Sequence, residues 1–362
     1  MRLSLVIAGL FMATLSHSAI PQTAQSCAFK GFTDLSSFSK ISPWQTGETD
    51  YLSPVIDAKM DWNELVASWD VQASPGAKVS VMARAIYPDH ESKFYVLSIW
   101  SSDPSSPDRT SLKGQKDADG TVDIDTLILE KKTNQVQLLI ATRPGPDAVE
   151  PTVKFLGLCF ADNSSHPDAV GPAVPTLAPL DVPEKCQMNY PNGGGYCSAT
   201  SVSMVLNYWS QKLNRPELAK DVPDVVAGVL DSGFKGTGNW PFNTAYAATF
   251  PGLRAYVTRF ATVDEIREWL QSGFPVITSA SLPLLEGKPR PKDDAGHLVV
   301  LVGFSADGDP IFNDPAHSDV RRTYKRADFE KAWDTSERTV YLIYPESMTP
   351  PEDKFGHWFT QQ

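Results

Sequence analysis

Five prolines, Pro167, Pro172, Pro175, Pro179 and Pro183, fall within some twenty residues near the middle of the chain. Each removes a backbone donor and fixes φ, and each pushes the preceding residue out of the helical region. Neither a helix nor an interior strand can run through such a stretch. Residues 163–180 therefore read as a stiff, extended linker, and what lies on either side must bury its own core. A chain of 362 residues is long enough for two such cores.

The two sides differ in period. Before the linker, Val79, Val81, Ala83 and Ala85 alternate with Lys78, Ser80, Met82 and Arg84. Val136, Leu138 and Ile140 form a second such face, and Val153, Phe155, Gly157 and Cys159 a third. Turn residues separate the runs at Ser74-Pro75-Gly76, Asp119-Gly120 and Pro144-Gly145-Pro146. This pattern predicts an all-β antiparallel sandwich over 27–162. Trp62, Trp69 and Trp100 are either its core or an aromatic platform, and a platform would give this domain a cell-wall or glycan contact. After the linker, Ala199, Val202, Val205, Leu206 and Trp209 have helical spacing from Cys197 to Gln211, and a second helix is predicted from Val263 to Gln271. Strands are expected at 275–281, 297–304, 310–314 and 339–344. The second half, 181–348, is thus an α+β domain, followed by a tail at 349–362.

Arg2, an apolar run over 3–15 and the small residues Ser16, Ser18 and Ala19 have the form of a signal peptide over 1–19, so the protein is expected to be exported. The apolar run is shorter than the ~20 residues of a spanning helix, and no later segment is apolar enough to cross a bilayer. A net charge of −11, with no basic stretch interleaved with aromatics, argues against nucleic acid. Export permits disulfides among the four cysteines, Cys27, Cys159, Cys186 and Cys197. Cys27 and Cys159 bracket the β domain and are the expected pair; Cys186 with Cys197 is the rival pairing.

Cys197 stands where Gly193-Gly194-Gly195-Tyr196 becomes a helix. The partial positive charge and unpaired N–H groups of a helix N-terminus favour a thiolate and can hold an oxyanion. His297 opens the apolar run Leu298-Val299-Val300-Leu301-Val302, and Asp314 closes the next one. The turn 305–309 brings both to the same end of a hairpin, where the carboxylate can accept from the imidazole and leave the other ring nitrogen for sulfur. Asn313 is the alternative orienter, but successive strand residues face opposite sides, so only one of the two can serve. Gln187, on the far side of the glycine loop, is a candidate second donor to the oxyanion. Histidines at 90, 166, 297, 317 and 357 have no zinc-hydrolase spacing, a Gly-x-Ser-x-Gly elbow is lacking, and the chemistry requires no metal or other cofactor.

The glutamine, the glycine loop, Cys-x-x-Thr-Ser-x-x-Met-Val-Leu-x-Tyr-Trp, Gly-His-Leu-Val-Val-x-Val-Gly-Phe and Asn-Asp-Pro-Ala together resemble the cysteine-peptidase family thirty-nine-like domain over about Leu180 to Pro345. The resemblance implies a papain-like fold, Cys197 as nucleophile, His297 as general base and acid, Asp314 as orienter and Gln187 in the oxyanion hole. Two departures stand out. Cys197-Ser198-Ala199-Thr200 replaces the family's common Cys-Gly-Pro-Thr, and no phosphate loop of a fused transporter is present. The segment 236–244 resembles stand-alone exported relatives, which would place Trp240, together with Gly195, along a substrate cleft; a packed core indole is the alternative for Trp240. The expected activity is thiol-dependent hydrolysis of a peptide or protein substrate. The rival is a non-catalytic protein that binds peptide or cell wall on the same scaffold.

Overall fold

A computed structural model describes residues 26–101, 103, 106, 108–164 and 175–353, and the backbone of 358–360. The segment expected as a signal peptide, 1–19, lies outside the described residues. Among them, the first half is all-β: β1 Cys27–Phe32, β2 Ser39–Ile41, β3 Thr49–Leu52, β4 Ile56–Gln72, β5 Lys78–Ile86, β6 Tyr95–Ser101, β7 Gly120–Asp123, β8 Thr126–Arg143 and β9 Thr152–Ala161. The second half is mixed, in the order α1 Cys197–Leu213, α2 Val222–Val229, α3 Trp240–Ala248, β10 Leu253–Arg259, α4 Val263–Gln271, β11 Val276–Ala280, α5 Leu282–Leu285, β12 His297–Phe304, β13 Pro310–Asn313, β14 Arg321–Thr323, α6 Arg326–Asp334, β15 Thr339–Pro345 and β16 Trp358–Thr360.

The all-β antiparallel domain expected over 27–162 is present, its strands joined into one hydrogen-bonded sheet in the order β16-β1-β9-β4-β8-β3-β2, with β5 and β7 joined to β8 and β6 to β5. The cause lies in β4 and β8, which are 17 and 18 residues long and change partners along their length. The ladder between them slips on either side of Trp62, and Lys59 there adopts a left-handed φ of 62°. A bulge of this kind bends a strand and steepens its twist, so one sheet can wrap a core. Trp62, Trp69 and Trp100 are all in that core, at 0%, 1% and 2% exposure, which rules them out as a surface platform. Residues 358–360, expected as a tail, pair in parallel with β1 at the sheet edge.

Cys27 and Cys159 remain free thiols, against the expected disulfide. Cys27 lies opposite Ala161 and Cys159 opposite Phe29, so the two are diagonal neighbours on one face. Diagonal positions in an antiparallel pair stand ~7–8 Å apart, beyond the ~4.4–6.8 Å that a disulfide tolerates between Cα atoms.

The second domain has the sheet β10-β15-β11-β12-β13-β14, antiparallel throughout, with α1 packed on β12 and β15. The linker ends earlier than its composition suggests. Leu177 and Phe304 exchange backbone hydrogen bonds of 3.0 and 2.9 Å, and Leu180 N–H donates to Val302 O at 2.8 Å, so the chain from Leu177 onward lies along β12.

The domains share buried contacts. Phe242 of α3 packs edge-on to Trp69 and Trp100, with ring centroids 6.2 and 5.1 Å away. The Arg109 guanidinium lies 4.3 Å from the Trp100 ring and donates to Gly228 O at 2.6 Å. Val257 N–H donates to Ser68 Oγ at 3.2 Å. Arg259 of β10 donates to Glu64 of β4 at 2.8 Å, both buried. Breaking such a pair from one side strands a charge without water, which costs ~3–5 kcal/mol. Arg259→Met should therefore lower the unfolding free energy by that order and the urea midpoint with it, and Glu64→Leu added to it should restore part of the loss. An unchanged midpoint in Arg259→Met would show that the two domains do not depend on this pair.

Candidate active site

Cys197 is the first residue of α1, half-buried behind a short 3-10 turn at Gly193–Gly195. The turn has to be glycine at its start. Asn192 enters it at a left-handed φ of 61°, and a Cβ on Gly193 would lie 1.9 Å from Gln187 O. Gly194 and Gly195 are exposed, with no atom within 4 Å of where a Cβ would stand. Two side chains fix the first turn of α1 on the sheet. Ser198 Oγ meets Tyr341 Oη at 3.1 Å, and Ser201 Oγ donates to Leu298 O, next to His297, at 3.0 Å.

His297 begins β12 and Asp314 follows β13, so the hairpin sets the two side by side. His297 Nε2 donates to Asp314 Oδ1 at 2.7 Å, leaving Nδ1 for Cys197, with which the ring interacts closely enough for each to shift the other's proton affinity. Both His297 and Asp314 are buried, at 4% and 0% exposure. Asp314 Oδ1 also accepts Ala316 N–H at 2.9 Å, and Oδ2 accepts the Tyr324 hydroxyl at 2.5 Å. Asn313 faces elsewhere: its Nδ2 donates to Val182 O at 2.9 Å and its Oδ1 accepts from Arg321 at 2.5 Å. The orienter is thus the aspartate, and the asparagine ties the linker end to β13.

These contacts set the charges. Burial pushes the Asp314 carboxyl up, but hydrogen bonds from His297, Tyr324 and Ala316 outweigh it and hold the group at about 2. Burial opposes a proton on His297, yet its bonds to Asp314 and Cys197 raise it to about 10. Burial likewise opposes a thiolate at Cys197; the bond to His297 and the N–H groups of Leu298 and Ser198 prevail and lower its pKa. Both shifts favour a thiolate paired with an imidazolium, and the two groups titrate together.

Gln187 is buried beside this centre, its N–H donating to Pro315 O at 2.8 Å, one residue past Asp314. Among the described residues its side-chain Oε1 has no hydrogen-bond partner. Cys186 stays a free, buried thiol packed into the core, so the rival disulfide with Cys197 is not formed. Trp240 opens α3, half-buried against the same core, with its N–H donating to Asp125 Oδ2 at 2.6 Å. Its link to the site is indirect, through Thr237, whose hydroxyl donates to Gly195 O at 2.8 Å. Tyr324 is a member of the site that the sequence did not disclose. Its segment, Arg322-Thr323-Tyr324-Lys325-Arg326, carries no motif that points to a buried hydroxyl.

The Peptidase C39-like family model matches residues 179–341, and the Peptidase C39 N-terminal domain model matches residues 21–161. An uncharacterized protein of Bacillus subtilis strain 168, YvpB, is 30% identical over 182 residues, 43% of this chain and 71% of that one. The chain belongs to the peptidase C39-like family. Among solved structures, a Bacillus anthracis protein assigned as a C39-like peptidase is 16% identical over 47% of this chain and 98% of its own, with a TM-score of 0.36. A fragment of Prevotella intermedia prointerpain A is 17% identical over 51% and 77%, with a TM-score of 0.30. The C39-like domain here has mixed α/β architecture and carries a wholly β domain before it.

The ion pair also links pH to stability. The His297 contribution is complete below the ordinary histidine range near ~6.5 and fades as pH rises through about 10; the Asp314 contribution is complete above ~4 and fades as pH falls through about 2. Thiolate absorbance in the ultraviolet should accordingly be present at mildly acidic pH in the wild type. In His297→Gln it should appear only in the alkaline range of an ordinary or buried thiol. Identical titrations in the two proteins would exclude the pair.

Proposed function

We propose that this C39-like protein is a thiol hydrolase that cleaves peptide or amide bonds. The observation that carries the reading is a half-exposed cysteine at a helix N-terminus, electrostatically coupled to a buried histidine that an aspartate holds at 2.7 Å. In this reading the Cys197 thiolate attacks the carbonyl carbon and the C–S bond forms as the carbonyl electrons move to oxygen. The oxyanion is held by N–H groups of the first turn of α1 and by the amide of Gln187, whose buried position supports that role. His297 gives its proton to the leaving amine as the C–N bond breaks. It then takes a proton from water, which attacks the thioester and releases the acid and free thiol. The exposed Gly194–Gly195 edge, anchored through Thr237, gives an extended substrate room to approach the sulfur.

The basic, apolar and small-residue pattern of 1–19 supports an exported protein, and the acidic surface supports a peptide rather than a nucleic acid as substrate. No helix among the described residues is long and apolar enough to cross a membrane. The test is hydrolysis of a mixed peptide library followed by mass spectrometry. Wild type should cut, and Cys197→Ala should lose cleavage by three orders of magnitude or more, in line with the ~10³–10⁶-fold losses that follow removal of a nucleophile. A Cys197→Ala protein that cuts at the wild-type rate, or a wild type that binds peptides and cuts none, would exclude the reading.

A further inference from the structure

Asp314 does more than accept one proton bond, because its second oxygen is also occupied. Oδ2 accepts the hydroxyl of Tyr324, a residue only 6% exposed that follows β14 and packs its ring against Phe312 at 5.8 Å. His317 Nε2 lies 3.8 Å from the same Oδ2 and 3.3 Å from Glu286 Oε1 and forms a hydrogen bond with neither, so among the described residues the Tyr324 hydroxyl is the hydrogen-bond donor to Oδ2. Glu286 is in turn paired with Lys288 at 2.7 Å, and the Arg322 guanidinium sits 5.8 Å from the Tyr324 ring. Asp328 of α6 approaches Gly287 from the other side.

We propose that Tyr324 is a positioning residue of the triad: by holding Asp314 Oδ2 it weakens the pull of Oδ1 on the His297 proton and so makes that proton transferable. The inference rests on the thiolate–imidazolium reading of the site. A carboxylate with both oxygens bonded to donors is less basic than one bonded on a single side. A fully free carboxylate would hold the imidazolium proton too firmly for release to a leaving amine, while a donor on Oδ2 also stops the carboxyl group from rotating.

The test is the pH dependence of Cys197 alkylation by iodoacetamide, which needs no substrate. Its rate steps once as the thiolate forms and again as the imidazolium loses its proton. Tyr324→Phe should move the second step to higher pH by about threefold or more in proton affinity. With a peptide substrate, kcat should fall in Tyr324→Phe while KM holds, because the Tyr324 side chain is buried. A second step at the wild-type pH in Tyr324→Phe, or a shift to lower pH, would overturn the proposal. Should Tyr324→Phe fail to fold, 3-fluorotyrosine placed at position 324 decides it: a stronger donor to Oδ2 should move the second step to lower pH, and an unchanged step would overturn the proposal. A wild type with two clear steps and no peptide cleavage would overturn the proposed function and leave this inference to the variants.

Discussion

One bond orders this molecule: His297 Nε2 donating to Asp314 Oδ1, with both groups out of water. A carboxylate buried at 0% exposure costs several kcal/mol unless donors surround it. Three do here, the imidazole, the Ala316 amide and the Tyr324 hydroxyl, and they come from β12, the turn after β13 and the residue after β14. The β12–β14 end of the sheet is therefore fixed around one anion. Its charge favours a proton on the imidazole, and the ring with two backbone amides lowers the pKa of Cys197 at the start of α1. Removing the aspartate would undo both the electrostatics and the local packing, which makes the site a structural element as much as a chemical one.

The all-β domain supports that arrangement from behind. Its hairpin residue Asp125 accepts the first N–H of α3, and Ser111 N–H donates to the wholly buried Asp231, which also accepts the amides of Gly233 and Phe234. The chain leaving this turn reaches Thr237, whose hydroxyl holds the carbonyl of Gly195. A short series of hydrogen bonds thus runs from one domain to the loop that presents Cys197. The Arg109 and Arg259 contacts add buried charge to the same interface. Loops that carry chemistry need a rigid support, and here much of it comes from the neighbouring domain.

The parts of this structure that were legible in the chain are those with a local cause. A glycine loop followed by helical spacing marks α1 at Cys197, an apolar run of β-branched residues marks β12, and strong amphipathic spacing marks α4 over Val263–Gln271. Helices α2 and α3 went unread because prolines at their second positions look like breaks, although proline is accommodated in a first helical turn. The single wrapped sheet depends on where β4 and β8 bulge, which period-two patterning does not reveal. The disulfide expectation failed on register: two cysteines on one face can still stand one diagonal too far apart. Tyr324 was hidden for a different reason, since its partner is ten residues away and nothing in its own segment demands a buried hydroxyl.

The central claim, that Cys197 alone among four free thiols is ionised and accessible, can be tested in one labelling reaction on the native protein. Burial pushes the thiols of Cys27 and Cys159 up, and Cys186 is enclosed by the core. Brief iodoacetamide treatment at mildly acidic pH, followed by peptide mass mapping, should place essentially all label on Cys197, the other three reacting only after denaturation. Cys197 unlabelled, joined to Cys186, or no faster than an unperturbed thiol would contradict the account.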